Sequence, residues 1–332
     1  MTERKGILAG GNWIIDHIKI IDAWPGQDAL ANILETSKAN GGSPYNVLKD
    51  LALLGAPFPL EAVGLVGNDA DGQYILHECA TLGIHVQNLA ITSAASTSFT
   101  DVMTVKGTGR RTFFHNRGSN DLFSPEHVDF SQSKSKIFHL GYLLLLAGMD
   151  ELDAKGRTCA SYLFEKAQQA GFLTSADVVS ESSDRFKAIV APSLPYLDYL
   201  FVNEYEAGKI TGLDLCPDGN LDVGLAIQAG QQILNQGVKQ QVFLHHPAMV
   251  IAIGQSGQVE TQASINIPAE QIVGAAGAGD AFAAGVLFGL HEGWSVSRSL
   301  ELGVCTAASS LYSASCSDGV KSVEEVLRLK NS

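Results

Sequence analysis

Residues 274–290 read GAAGAGDAFAAGVLFGL. Six glycines and alanines stand before one carboxylate, Asp280, and an apolar run follows it. The pattern predicts a helix starting near Asp280, and the first turn of a helix leaves backbone N–H groups without intrahelical partners. Gly277 and Gly279 add no side chain that would block approach to them. Gly277, Ala278 and Gly279 therefore read as an anion hole at the positive end of a helix. Asp280 would repel an anion bound there. It is suited instead to take a proton from a hydroxyl attacking a bound phosphoryl group. The residues alone leave an alternative open, since small residues before a helix also serve close packing and aspartate is an ordinary N-terminal cap. The stretch lacks the Gly-Lys-Ser/Thr ending of a phosphate loop. AGGN at 9–12 lacks GxGxxG spacing, which disfavours a nicotinamide enzyme.

The rest of the chain bounds the setting. Its 332 residues suffice for one large domain or two ordinary ones. With 45% hydrophobic and 17% charged residues it is not a disordered chain. A net charge of -13 disfavours a nucleic-acid partner. The five cysteines are scattered, with no CxxC, and fit reduced thiols in a cytoplasmic protein. MTERKGILAGG turns glycine-rich too early for a signal sequence. The hydrophobic window Val273–Leu290 contains Asp280 and five glycines, which disfavours a membrane span.

Short apolar runs alternate with helical segments: GILAGG, then SPYNVLKDLALLG; LEAVGLVG, then DGQYILHECATLG; KIFHLG, then DELDAKGRTCASYLFEKAQQAG; YLFVN, then EYEAGK. This rhythm predicts a largely parallel sheet covered by helices, with its working loops at the strand C-terminal ends. Two parts break it. Residues 94–114 alternate around the turn KGTG, as a hairpin should, and NWIIDHIKIIDAWP reads as extended chain. Together they predict a small projecting sheet, or else an antiparallel edge on the main one. An alternating sheet that projects leaves one face apolar unless a second subunit covers it, so a homodimer through this sheet is expected. No polar linker splits the chain.

The chain resembles the ribokinase-like (PfkB) carbohydrate kinases. GGNWIID at 10–16, NGGSPYNVLKDLALLG at 40–55, LVGNDADG at 65–72 and AAGAGDAFAAGVLFG at 275–289 fall in that family's order, and NEYEA at 203–207 matches its Asn-x-x-Glu motif. The resemblance spans essentially the whole chain. It implies one α/β/α three-layer domain over residues 1–332, with a small β-sheet lid from parts of 12–40 and 94–120. The implied reaction transfers the γ-phosphoryl group of ATP, with Mg²⁺, to a hydroxyl of a sugar or sugar derivative. It also implies Asp280 as catalytic base and Gly277, Ala278 and Gly279 as anion hole. Asn12, Asp16, Gly41, Gly42 and Asn46 would handle the acceptor. Asn203 and Glu206, with Gly277 and Gly279, would handle the nucleotide, and Glu206 the metal, directly or through water. A nucleoside kinase and a catalytically impaired sugar- or nucleotide-binding regulatory protein are the alternatives.

The residues themselves allow other roles. Asp16 can accept hydrogen bonds from two sugar hydroxyls or cap a turn. Asn46 can bond its own backbone, and Glu206 can be a solvated charge in a first helical turn. Arg110, Arg111 and Arg117 are either solvated or positioned for an anionic group, and Arg111 is taken as the acceptor-binding one. Two departures from the family stand out. Gly274, Ala275 and Ala276 replace its Asp-Thr-x, and His245, Pro247 and Val250 replace Thr-x-Gly-x-x-Gly. His245 and His246, adjacent in an extended segment, should point to opposite faces as packing or pocket-wall residues rather than as a metal pair.

Overall fold

In the first strand, Ile7 and Ala9 pack into one apolar cluster while Leu8 packs into another. The same alternation recurs in Tyr199 and Phe201 against Leu200 and Val202. A strand sends successive side chains to opposite faces, so these runs belong to a sheet buried on both sides. The computed structural model describes residues 4–331; the first residues of MTERKGILAGG lie outside the described residues. The strands are β1 (Ile7–Gly11), β2 (Ile14–Ile21), β3 (Ile33–Gly41), β4 (Leu60–Gly67), β5 (His85–Thr92), β6 (Ser98–Val105) and β7 (Arg111–Asn116). They continue with β8 (Ile137–Leu143), β9 (Leu173–Val178), β10 (Tyr199–Asn203), β11 (Gln241–His246), β12 (Met249–Gly254) and β13 (Val259–Ala263). The helices are α1 (Ser43–Leu53), α2 (Ala70–Thr81), α3 (Ala147–Asp150), α4 (Cys159–Gln169) and α5 (Phe186–Val190). After them come α6 (Glu204–Thr211), α7 (Val223–Asn235), α8 (Ala278–His291), α9 (Val296–Ser310) and α10 (Val323–Arg328).

The main sheet runs β13-β12-β11-β10-β9-β8-β1-β4-β5. It is parallel from β11 to β5, and β12 and β13 add an antiparallel edge. One face packs against α4 and α7 and the other against α1, α8 and α9, giving three layers. The chain leaves β1 for β4 on one side and returns to β8 on the other. Such a switch point opens a crevice beyond the strand C-termini.

The lid is a separate sheet, β3-β2-β6-β7, and not an edge of the main one. Asp16 sits in it between Ala39 of β3 and Thr100 of β6. On the opposite face, His17 Nε2 and Lys38 Nζ meet Asp71 of α2 at 2.7 and 2.5 Å, anchoring the lid to the main body. The helix expected over 150–171 is shorter than its sequence suggests. A Leu152–Thr158 bridge precedes it, and Thr158 caps α4 by accepting from Ser161 N. No helix among the described residues is long and apolar enough to cross a membrane.

Candidate active site

Gly277 caps α8 with φ 79°, in the left-handed region. A Cβ there would stand 2.6 Å from Cys316 Cβ, so both the turn and its contact require glycine. Ala278 is the first helical residue and Asp280 the third. The Ala278 N–H reaches Ala275 O only at 3.5 Å. Those of Gly279 and Asp280 lie in the first turn, where no intrahelical carbonyl can meet them.

Asp280 is almost fully buried. Its Oδ2 accepts from Asn46 Nδ2 at 2.7 Å and from the Tyr142 hydroxyl at 2.6 Å. Its Oδ1 makes no hydrogen bond of ordinary geometry, although Ser43 and Asp177 stand close enough to act on the carboxylate's ionisation. Burial raises the Asp280 pKa, and the bonds from Tyr142 and Asn46 oppose that rise. Asp177, at the end of β9, is driven well above the ordinary carboxylate range by burial and then by the negative charges of Asp280 and Glu206.

Asn46 does not bond its own backbone with its side chain. It bonds Asp280, and its Oδ1 accepts from Asn40 Nδ2 at 2.7 Å. Asn12 lies beside the same crevice, but its amide is committed to backbone, donating to Leu145 O at 2.9 Å and accepting from Tyr142 N at 2.5 Å. These bonds tie the ends of β1 and β8 together and use one Nδ2–H and the Oδ1 of the amide. Gly42 has φ 82°, and a Cβ on it would strike Asn12 O at 2.0 Å. A Cβ on Gly41 would stand 2.9 Å from Asp16 Oδ1.

Asp16 is a mid-strand residue and caps no turn. Burial raises its pKa to about 6, against a hydrogen bond from Thr100 and the positive charge of Arg111. Arg111 reaches from the lid to Val273 O at 3.5 Å, next to Gly274. Arg117 instead pairs with Asp121 at 3.6 Å, and Arg110 stays exposed on the hairpin turn.

Glu206 is buried and not a solvated charge. Asn203 caps α6 and Glu206 closes the capping box: Asn203 N donates to Glu206 Oε2 at 2.9 Å, and Glu206 N to Asn203 Oδ1 at 2.8 Å. Glu206 Oε1 accepts from Ser180 Oγ at 2.7 Å. Burial pushes the Glu206 pKa up to about 7. Among the described residues no three His, Cys, Asp or Glu side chains converge to hold a metal. That donor set fits an ion carried mainly by phosphate oxygens and water, as Mg²⁺ is in phosphoryl-transfer sites, and not a protein cage.

Beside the start of α8 opens a cavity of about 560 Å³, within the range of small-molecule sites. Its wall is mostly apolar, with Val250, Ile267, Phe282 and Leu311 joined by His245 and His246. Both histidines border this cavity, although their strand partners, Val250 for His245 and Met249 for His246, pack on opposite faces of the sheet. Burial lowers the His245 pKa to about 4, so this imidazole is neutral at pH 7.

Tyr142, Asp177 and Ser43 were not singled out from the sequence. For Tyr142 one signal existed, a lone phenol within the apolar run HLGYLLLLAG. Ser43 lies inside NGGSPYN, three residues before Asn46 on α1, whereas Asp177 carries no signal, since only the strand order brings it to Asp280.

A lidded three-layer α/β fold with a glycine-capped helix and a buried carboxylate at its working edge defines a class of small-molecule kinases. The chain belongs to the pfkB family of carbohydrate kinases, whose model matches residues 10–322. It is 24% identical over 291 residues to an adenosine kinase of Saccharomyces cerevisiae, covering 86% of this chain and 81% of the relative. It is 27% identical over 282 residues to a fructokinase of Klebsiella pneumoniae, covering 80% and 83%. Its fold is similar to that of a ribokinase from Thermotoga maritima, with a TM-score of 0.79 at 20% identity over 99% of this chain and 100% of that one. The chain is thus an ATP-dependent phosphotransferase acting on a small polyol or sugar-like acceptor.

Proposed function

We propose that this kinase activates the acceptor hydroxyl through Asp280 and acts on a sugar or sugar derivative. The observation that carries the reading is the state of that carboxylate, with Oδ2 held by two donors and Oδ1 enclosed without a partner. It lies in the first turn of α8. In this mechanism the acceptor oxygen attacks the γ-phosphorus of ATP. The bond from that phosphorus to the oxygen bridging it to the β-phosphate breaks, ADP departs, and the acceptor proton passes to Oδ1. The backbone at Gly277, Ala278 and Gly279 meets the charge growing on the transferring oxygens. Asp16 orients acceptor hydroxyls with Arg111 beside it, and the cavity bordered by His245 holds the nucleotide. Glu206 and Asn203 would hold Mg²⁺ through water, and the ion supplies neutralisation of phosphate charge when bound.

The same reading takes residues 1–332 as one functional unit in the cytoplasm, with the lid drawn from 12–40 and 94–120. It pairs two copies through the lid, where Ile33 is 52% and Phe113 58% exposed. A nucleoside acceptor is the second reading, supported by the similarity to adenosine kinases. Trp13 does not supply the stacking wall for a base, because it is fully buried against Tyr45 at 5.6 Å. A mass-detected phosphorylation screen with ATP and Mg²⁺ over sugars, sugar acids, phosphosugars and nucleosides tests both readings. Phosphate transfer to a sugar-type acceptor supports the first, preferred transfer to a nucleoside the second, and transfer to neither contradicts both.

A further inference from the structure

We infer that Tyr142 is a positioning residue, whose hydroxyl fixes Asp280 Oδ2 so that Oδ1 alone is presented to the acceptor. The inference rests on the assignment of Asp280 as base.

Tyr142 closes β8 beside β1, at the switch point of the sheet. Its backbone N–H is held by Asn12 Oδ1 at 2.5 Å, and its hydroxyl stands 2.6 Å from Asp280 Oδ2. Asn46, from α1, donates to the same oxygen at 2.7 Å. Two donors from two elements converging on one carboxylate oxygen prevent the side chain from exchanging its two oxygens by rotation. They also hold negative charge on it against its burial. Burial and the neighbouring Asp280 charge keep the phenol's own pKa well above its ordinary value, so it stays a donor. A donor of this kind favours the ionised base without competing for the acceptor's proton. An apolar residue of the same size would fill the space but leave Oδ2 with Asn46 alone.

The other groups acting on this carboxylate come from separate elements. Ser43 and Asp50 belong to α1, Asp177 to β9, Glu206 to α6, and Cys316 to the loop after α9. None of them donates to Oδ2.

The test is a carbon-13 NMR titration of the Asp280 carboxyl in the full chain and in Tyr142→Phe, with the resonance assigned by its loss in Asp280→Asn. Removing a donor from a carboxylate should raise its midpoint by about one pH unit or more. Tyr142→Gln, which keeps a donor, should recover part of the shift. With MgATP and whichever of D-fructose, D-ribose and adenosine is turned over, the acid limb of kcat should move up in Tyr142→Phe while the KM for ATP stays within about twofold. If Tyr142→Phe does not fold, 3,5-difluorotyrosine incorporated in the unchanged sequence should lower the midpoint, because its hydroxyl is the stronger donor. An Asp280 midpoint that does not respond to the Tyr142 change overturns the inference. Wild-type turnover by Asp280→Asn would instead overturn the base assignment, leaving a shifted midpoint as a separate result.

Discussion

Asn46 and Asp280, 234 residues apart in the chain, meet through a 2.7 Å hydrogen bond from Asn46 Nδ2 to Asp280 Oδ2. The bond joins the NGGSPYN segment of α1 to the GAGD segment of α8. It places the two stretches that carry the family resemblance in one buried constellation. The segment proposed to handle the acceptor is thereby tied to the carboxylate proposed as the base.

Asp16→Ala should weaken acceptor binding and leave ATP binding within about twofold, because Asp16 lies in the lid among Thr100 and Arg111, outside the cavity proposed to hold the nucleotide. Calorimetric titration of each ligand checks this. Equal loss for both ligands would assign Asp16 a purely structural part.

The Asp16 carboxyl also sets a pH dependence. Its folded pKa, raised by burial to about 6, exceeds the unfolded value of 3.8. Between those values the folded state binds the extra proton, so the stability contributed by this group falls as pH rises through the window. Asp16→Asn should flatten the Tm-against-pH curve there. Acceptor use that needs the ionised form should decline below about pH 6 in the wild type.

Gly277→Ala should destabilise the protein by more than about 1 kcal/mol, since φ is 79° and the new Cβ would stand 2.6 Å from Cys316 Cβ. Urea denaturation measures the loss. An unchanged midpoint would show that the cap tolerates a side chain.

Glu206→Gln separates cap from metal role. The glutamate's pKa, raised to about 7 from 4.5 by burial, makes its contribution to stability fall as pH rises from 4.5 towards 7. The neutral glutamine should therefore cost little stability at pH 8, yet should raise the Mg²⁺ concentration needed for half-maximal turnover. Stability lost with no change in the Mg²⁺ requirement would reduce Glu206 to a helix cap.

Much of the fold could be read from the sequence, because LEAVGLVG, YLFVN and QVFLHH are short apolar runs whose alternation has a single physical outcome, a sheet buried on both faces. The lid was readable as two extended segments, although their parallel pairing through β2 and β6 was not. Site residues were readable where they fell in contiguous motifs, as Asn46 and Asp280 do. Tyr142 and Asp177 were hidden because they reach Asp280 only through the order of β8 and β9 in the sheet. Asn12 reads as an acceptor contact, and its amide also bonds Leu145 O and Tyr142 N, backbone partners that no local pattern announces.

Whether Asp280 takes the acceptor's proton is decided by kcat for Asp280→Asn on an acceptor identified in the phosphorylation screen. The variant should fold as the wild type does, retain ATP binding, and lose roughly 10²–10⁴-fold in kcat. A folded Asp280→Asn protein with near-wild-type kcat would contradict the account.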